Sequence, residues 1–363
     1  MRILLTTNKF QQFAGSELVT LELAEQLIEF GHTCSIASWF IGPPMKNVAE
    51  RLGIVLTDRP ETVNAFDFDI VLAQHHVAPV LMYSLTSRSR ERTLFIQRHL
   101  SVIGLFDLPG VVLEPLLTDC VHAVSPEAKA KLVELGVDPR SIELFPNPAP
   151  RRFHRALVPR KKRAESLLVV SNHAPAEVLA AISELRSRGL VVRHVGENGE
   201  GQARVNPRMI FDVDAVLTIG KTTQYCLRAR VPVFIYDHFG GPGFLSRENI
   251  QQAAYTNFSG RCTRRRLSAI QIADEIMCGF ENAAQFMTES DDVGLDEYAL
   301  ERSVAQICER ASSAPPTIDR LAQLLANGPM LERERALCAG AGAAFRGRIS
   351  YQKRWEAIRA KSI

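Results

Sequence analysis

The chain has 363 residues, 46% hydrophobic and 23% charged, with a formal net charge of +3. That is an ordinary globular composition, and the length exceeds the ~100–200 residues usual for one domain, so two domains are expected. So small a charge gives no grounds for nucleic acid as a partner, and seven scattered cysteines without a C-x-x-C pair argue against a disulfide framework or a thiolate zinc site.

The apolar run Ile3-Leu4-Leu5 is too short for a signal segment, and no stretch reaches the roughly 18–20 apolar residues of a membrane span. A cytoplasmic protein, at most peripheral at the inner face of a membrane, is expected. Residues 2–7 read as a strand. After a loop containing Ala14-Gly15-Ser16, apolar residues recur at Leu18, Leu21, Leu23, Ala24, Leu27 and Ile28, the spacing of one helix face. Gly31 stands where a glycine ends a helix, and 34–38 reads as a second strand. The glycine loop thus lies at the carboxyl end of the first strand, the edge where open α/β sheets bind ligands. Further strands are expected at 69–74, 93–97, 119–124 and 142–145, with a helix at 126–136. Those ending in His75-His76, His99 and Ser125 bring polar groups to one rim. The alternation predicts a parallel, doubly wound sheet over residues 1–150.

Residues 151–165 break the rhythm. Arg151, Arg152, Arg155, Arg160, Lys161, Lys162 and Arg163 surround Pro159, and the span reads as an inter-domain linker. A solvated loop is the plainer interpretation, a phosphate-attracting wall the sharper one. A second α/β series follows over 166–340. Strands at 167–170, 191–195, 215–219 and 231–236 end in Ser171-Asn172-His173, Gly196-Glu197-Asn198-Gly199, Gly220-Lys221-Thr222-Thr223 and Asp237-His238-Phe239-Gly240-Gly241-Pro242-Gly243. From about residue 246 the sequence is mostly helical. A last helix is expected within 341–363, with Trp355 and Ile358 on one face. Its basic neighbours Arg346, Arg348, Lys353, Arg354, Arg359 and Lys361 read as a solvated face, or as a contact for anionic lipid.

The strongest chemical signal is Gly220-Lys221-Thr222-Thr223 between a strand and a helix. A helix N-terminus favours a phosphate, and Lys221 adds a full charge. Walker A also needs a glycine five residues before Gly220. That position is Ala215, so an ATPase is excluded and phosphate binding retained. A glycine turn followed by a threonine cap is the bland alternative. In the Asp237–Gly243 stretch, adjacent Gly240 and Gly241 permit close backbone approach to a ligand or simply a tight turn. Gly15 with Ser16 is a weaker case of the same kind. A single histidine is more often a structural hydrogen-bonding residue than a catalyst. Three on one rim, His75, His76 and His99, point to function, with His99 foremost. They lack a carboxylate at metal-ligand spacing, so no metal is expected. No G-x-S-x-G or H-E-x-x-H motif is present, and the first strand is not followed by G-x-G-x-x-G.

In order and spacing, several pieces resemble the GT-B glycosyltransferases, closest to the family 4 retaining enzymes, over roughly residues 1–250. They are residues 2–31 with Glu22-Leu23-Ala24-Glu25-Gln26-Leu27 and Gly31-His32, then Val121-His122-Ala123-Val124-Ser125-Pro126, Pro146-Asn147 followed by Phe153, and Ala229-Arg230-Val231-Pro232-Val233 with its glycine turn. The resemblance implies two Rossmann-like domains facing across a cleft. The first would bind the acceptor, the second a nucleotide-sugar donor, and the last helix would return to the first domain. Gly15 would approach the donor phosphates and His99 the transferred sugar. The sequence departs from the family at Ser171-Asn172-His173-Ala174-Pro175, where the family carries an Arg and a Lys, and at Tyr225, in place of the second of paired glutamates. Lys221 and the helix starting at Thr222 are expected to neutralise the leaving diphosphate instead.

The resulting expectation is transfer of a sugar, without a cofactor, from a UDP-, GDP- or other nucleotide-sugar to a hydroxyl of a glycan, lipid or small molecule, with retention. His99 and Lys221 are the catalytic candidates and His75 and His76 the acceptor-side ones. Gly15, Ser16, Asn172, Gly196, Glu197, Gly220, Thr222, Thr223, Asp237, Gly240 and Gly241 are the donor-side candidates. A non-catalytic binding protein of the same fold and a nucleotide-sugar epimerase are the alternatives.

Overall fold

A computed structural model describes residues 1–102, 107–156, 161–289 and 296–361, with side chains to 348. Pro159, Arg160 and the side chains of Lys353, Arg354, Trp355, Ile358, Arg359 and Lys361 lie outside the described set. The chain divides into two compact units. The first comprises Met1–Ala123, Ala128–Glu143 and Val304–Ile363, the second Val124–Glu127 and Leu144–Ser303. Residues 304–340, assigned from sequence to the second domain, therefore belong to the first unit.

The first unit begins β1 (Arg2–Phe10), α1 (Gly15–Glu29), β2 (Thr33–Ile41), α2 (Met45–Arg51), β3 (Val55–Thr57), β4 (Ile70–Gln74) and β5 (Leu94–His99). It continues through α3 (Leu113–Leu117), β6 (Cys120–Ala123), α4 (Pro126–Glu134) and β7 (Ile142–Leu144). The sheet order is β3-β2-β1-β4-β5-β6-β7, and the pairs from β3 to β6 are parallel. All five residues of β4 are buried, as expected of a strand covered on both faces. Here β1 and β4 are neighbours while the chain leaves β1 toward β2, so their carboxyl ends flank the switch point where open sheets bind ligands.

The second unit contains β8 (Ser166–Val170), α5 (Ala176–Ser187), β9 (Val191–Val195), α6 (Pro207–Phe211), β10 (Ala215–Thr218), α7 (Lys221–Ala229), β11 (Val233–Asp237) and β12 (Gly240–Phe244). Helices α8 (Ile250–Tyr255) and α9 (Ala269–Glu289) follow. The order is β12-β11-β10-β8-β9, with β12 antiparallel to β11 and the other pairs parallel. Alternation along the strands fills two cores. Leu167, Val169, Ala215, Leu217, Phe234 and Tyr236 meet α5 and α9, whereas Leu168, Val216, Val233 and Ile235 face the other way, toward α7. Each such fully buried Leu, Val, Ile or Phe contributes about 1.5–3 kcal/mol before entropy.

Helices α10 (Leu300–Arg310), α11 (Thr317–Ala326) and α12 (Gly328–Lys361) complete the chain. In the first unit Arg320 of α11 forks onto both carboxylate oxygens of Asp119, whose Oδ2 also accepts the Phe95 amide. Two expectations are corrected. Residues 240–244 form an edge strand, not a turn, and α12 is 34 residues long, starting well before 341. The short β3 and α2 were not anticipated.

Candidate functional site

In the second unit the expected donor residues share one sheet edge. Asn172 follows β8, Gly196 and Glu197 follow β9, Gly220 follows β10, and Asp237 ends β11. Because these strands are parallel, all lie at the carboxyl rim, with Asn172 and Gly220 flanking the β8/β10 switch point.

Geometry separates these residues by what they touch. Gly220 has φ +56°, and no atom lies within 4 Å of the place a Cβ would take. It opens α7, so positive φ and open space coincide at a helix N-terminus, the arrangement that admits a phosphate. Lys221 is 7% exposed. Its ammonium donates to the Pro148 carbonyl at 2.8 Å and sits 5.2 Å from the Tyr225 ring centroid. Tyr225 stacks flat on Phe153, centroids 4.0 Å apart, and both are core residues. The position at which the family resemblance expects a glutamate thus serves packing. Thr222 is half-buried and Thr223 fully buried.

Other glycines of this rim are used by the protein itself. A Cβ on Gly196 would stand 1.7 Å from the Ser171 carbonyl oxygen; on Gly240, 2.3 Å from that of Arg265; on Gly241, 2.0 Å from that of Ile235. Asp237 accepts from the Phe239 amide at 2.7 Å, the Ser259 hydroxyl at 2.9 Å and the Gly260 amide at 3.0 Å, which fixes the loop beyond β12. Glu197 is exposed and accepts from Gln202 at 2.8 Å. Half-buried Asn172 adjoins the Gly196 crossing.

In the first unit, His75, His76 and His99 do converge. His75 has φ +59° immediately after β4. Its Nδ1 accepts the Asn8 amide at 3.2 Å, so the neutral ring carries its proton on Nε2. Burial, with the charges of His76 and His99, pushes its pKa down to about 4. His76 Nε2 faces the Leu108 carbonyl at 2.8 Å. His99 is buried, with Nδ1 3.0 Å from the Asp107 carbonyl and Nε2 3.0 Å from Glu114 Oε1. Glu114 Oε2 in turn accepts the Gly110 amide at 2.7 Å. From α12, Glu334 accepts the amides of Val111 at 2.9 Å and Leu113 at 2.7 Å. Residues 107–113 are thereby tied to both the end of β5 and α12. Burial raises the Asp107 carboxyl to about 6, opposed by His99.

The loop after β1 already holds a carboxyl group of the protein itself. Glu17 Oε2 accepts the amides of Gln11 at 2.6 Å and Gln12 at 2.5 Å. Burial raises this carboxyl to about 7 against those bonds and the Lys9 charge. Gly15 is exposed, with nothing within 4 Å of a would-be Cβ, and half-buried Ser16 accepts the Thr20 hydroxyl through its carbonyl at 3.0 Å.

Sequence reasoning missed Asp107, Glu114 and Glu17. The first two reach the histidines because a loop folds back, which no local spacing signals. Glu17 had the one available signal, an acidic residue in the first turn of a helix. Among the described residues, Cys120, His122 and Glu143 bring possible ligand atoms within 4.8 Å of one another, but Arg310 donates to Glu143 at 2.7 Å. A cation there would have to displace that guanidinium.

No family model and no curated protein matches the sequence. Solved structures do. HepE of Anabaena, in complex with UDP and glucose, is 13% identical, with a TM-score of 0.57 over 86% of this chain and 100% of that one. Its complex with UDP-glucose is 12% identical, with a TM-score of 0.52 over 85% and 99%. A glycosyltransferase from Rickettsia africae is 14% identical, with a TM-score of 0.56 over 86% and 98%. At these identities the likeness is one of architecture: the chain has the GT-B fold.

Proposed function

We propose that the chain is a glycosyltransferase that moves a sugar from a nucleotide-sugar to a hydroxyl of a glycan, lipid or small molecule, with retention. The observation that carries this reading is Gly220, open on its Cα side and opening α7 beside the β8/β10 switch point. The GT-B fold and the UDP complexes of HepE support it. On this reading the diphosphate meets the first-turn amides of α7, with Gly220, Lys221, Thr222 and Asn172 nearest. The positive end of the helix and the ammonium of Lys221 stabilise the charge that develops as the diphosphate departs. The cation's hold on the Pro148 carbonyl keeps it at that helix start.

The same bond favours one second reading, a protein that binds a nucleotide-sugar without turning it over, because Lys221 is already committed to the protein. Incubation with UDP-, GDP-, CMP- and dTDP-sugars, with an acceptor panel and without, tests the proposal. Nucleotide release that depends on an acceptor supports transfer. Conversion of the sugar without acceptor marks an epimerase, and binding without release marks the second reading.

A further inference from the structure

The histidine rim of the first unit contains a donor and an acceptor that face each other without bonding. His75 Nε2 and Asp107 Oδ1 are 3.9 Å apart, beyond hydrogen-bond reach. The nitrogen carries a proton, because Nδ1 receives the Asn8 amide. The oxygen is buried and has no hydrogen-bond partner among the described residues. A buried carboxylate oxygen without a partner is costly, and a native protein keeps one where a functional role, strain or an ordered water or ion accounts for it.

The neighbours are otherwise engaged. His99 donates toward Asp107 and Glu114, Gln97 donates to the His75 carbonyl at 3.2 Å, and Glu114 takes the Gly110 amide. His75 is also a non-glycine residue at positive φ, a strained conformation that tends to persist where function requires it. The two side chains as wholes are 11% and 12% exposed, although Asp107 Oδ1 itself is covered. The small cavity on the other side of His75, lined by Gln97, Gly110 and Glu114 but not by Asp107, has a volume of about 20 Å³. That admits one oxygen-sized group, whereas a whole small-molecule site takes ~300 Å³ or more.

A hydroxyl is both donor and acceptor. One oxygen at about 2.8 Å from each atom fits a gap of this width, accepting from the imidazole N–H and donating to the carboxylate. We propose that His75 and Asp107 together bind a single hydroxyl of a polyol or sugar. On the transferase reading, on which only this last step rests, that hydroxyl belongs to the acceptor. The ties from His99, Glu114 and Glu334 make these three positioning residues, holding Asp107 opposite His75.

The test needs no nucleotide, so its outcome is separate from that of the transfer reading. The full chain, labelled with [15N]histidine, is titrated with methyl α-glucoside, myo-inositol and glycerol while the His75 ring resonances are followed by NMR. The expected result is a saturable shift at His75 Nε2 with at least one probe. Asp107→Ala should weaken that binding roughly tenfold or more, and Asp107→Asn, which keeps an acceptor, should weaken it less. Unchanged far-UV circular dichroism and an unchanged ring signal of His122, on β6, report that the fold is intact in each variant. No saturable shift across the panel, or a shift indifferent to Asp107→Ala, overturns the proposal.

Discussion

His99 Nε2 lies 3.0 Å from Glu114 Oε1, while the opposite ring nitrogen lies 3.0 Å from the Asp107 carbonyl oxygen. Oxygen acceptors on both sides are satisfied by an imidazolium, which donates from each nitrogen. Burial alone would lower this pKa; the bond and charge of Glu114 outweigh it and leave the value raised. Because the folded pKa exceeds the unfolded one, the stabilisation is complete below about pH 6.5 and is lost as pH rises through the folded value. The melting temperature of wild type should therefore fall more steeply above neutral pH than that of Glu114→Gln. Imidazole 15N shifts should show His99 titrating above the ordinary histidine value of about 6.5; titration below it contradicts this account.

Glu17 has the opposite linkage. Its carboxyl is raised to about 7 by burial, so the folded state holds a proton that the unfolded chain releases near its ordinary value of 4.5. No penalty exists below that value; it grows as pH rises toward 7 and is constant above. The upper bound is about 3 kcal/mol. Glu17→Gln should thus gain stability relative to wild type between pH 5 and pH 8, read from paired denaturation curves. A constant difference across that range would rule the linkage out.

The glycines of the second unit's rim should behave unequally. Gly196→Ala and Gly241→Ala each drive a methyl into a backbone carbonyl, at 1.7 and 2.0 Å, and should cost about 3 kcal/mol or more. Gly220→Ala meets nothing within 4 Å, but φ +56° with ψ −132° lies outside the left-handed helical region, so backbone strain should cost about 1–3 kcal/mol. On the proposed function it should nevertheless weaken nucleotide binding, since the methyl occupies the approach to the helix. Thermal melts and nucleotide titrations on the three variants separate the two effects.

How much was legible followed from how local each signal is. Val191–Val195 was read to the residue, because a valine-rich segment bracketed by Gly189 and Gly196 reads as a strand. The rims were legible for the same reason, since parallel strands dictate where their carboxyl ends lie. Residues 240–244 were misread because Gly-Gly-Pro-Gly reads locally as a turn; the strand exists because glycine lets the backbones of Ile235 and Arg265 come close. Residues 328–340 were not joined to the last helix because Gly340 and Gly342 lower helix propensity at the expected boundary. Tertiary contact supplies what propensity lacks: a Cβ on Gly342 would stand 2.5 Å from the Trp39 ring, and Arg346 lies over that ring. The partners of the histidines were illegible because a fold-back loop and a distant helix deliver them.

Lys221 carries the charge argument of the second unit. Lys221→Met removes the ammonium, keeps the apolar stem over Tyr225, and leaves the Pro148 carbonyl without this donor. Stability should fall by about 1–3 kcal/mol. On the proposed function, binding of a nucleoside diphosphate should weaken about tenfold as well, equivalent to ~1.4 kcal/mol. Unaltered affinity in a variant that has lost stability would confine Lys221 to a structural role.

The central claim, that the carboxyl rim of the second unit holds a nucleoside diphosphate at the start of α7, is tested most directly by calorimetric titration of the full chain with UDP, GDP, CDP and dTDP. The account predicts that one of them binds at a single site, adds about 2.7 kcal/mol of stability at a hundredfold excess over its Kd, and loses affinity in Gly220→Ala. Absence of binding by all four, or affinity untouched by that substitution, contradicts it.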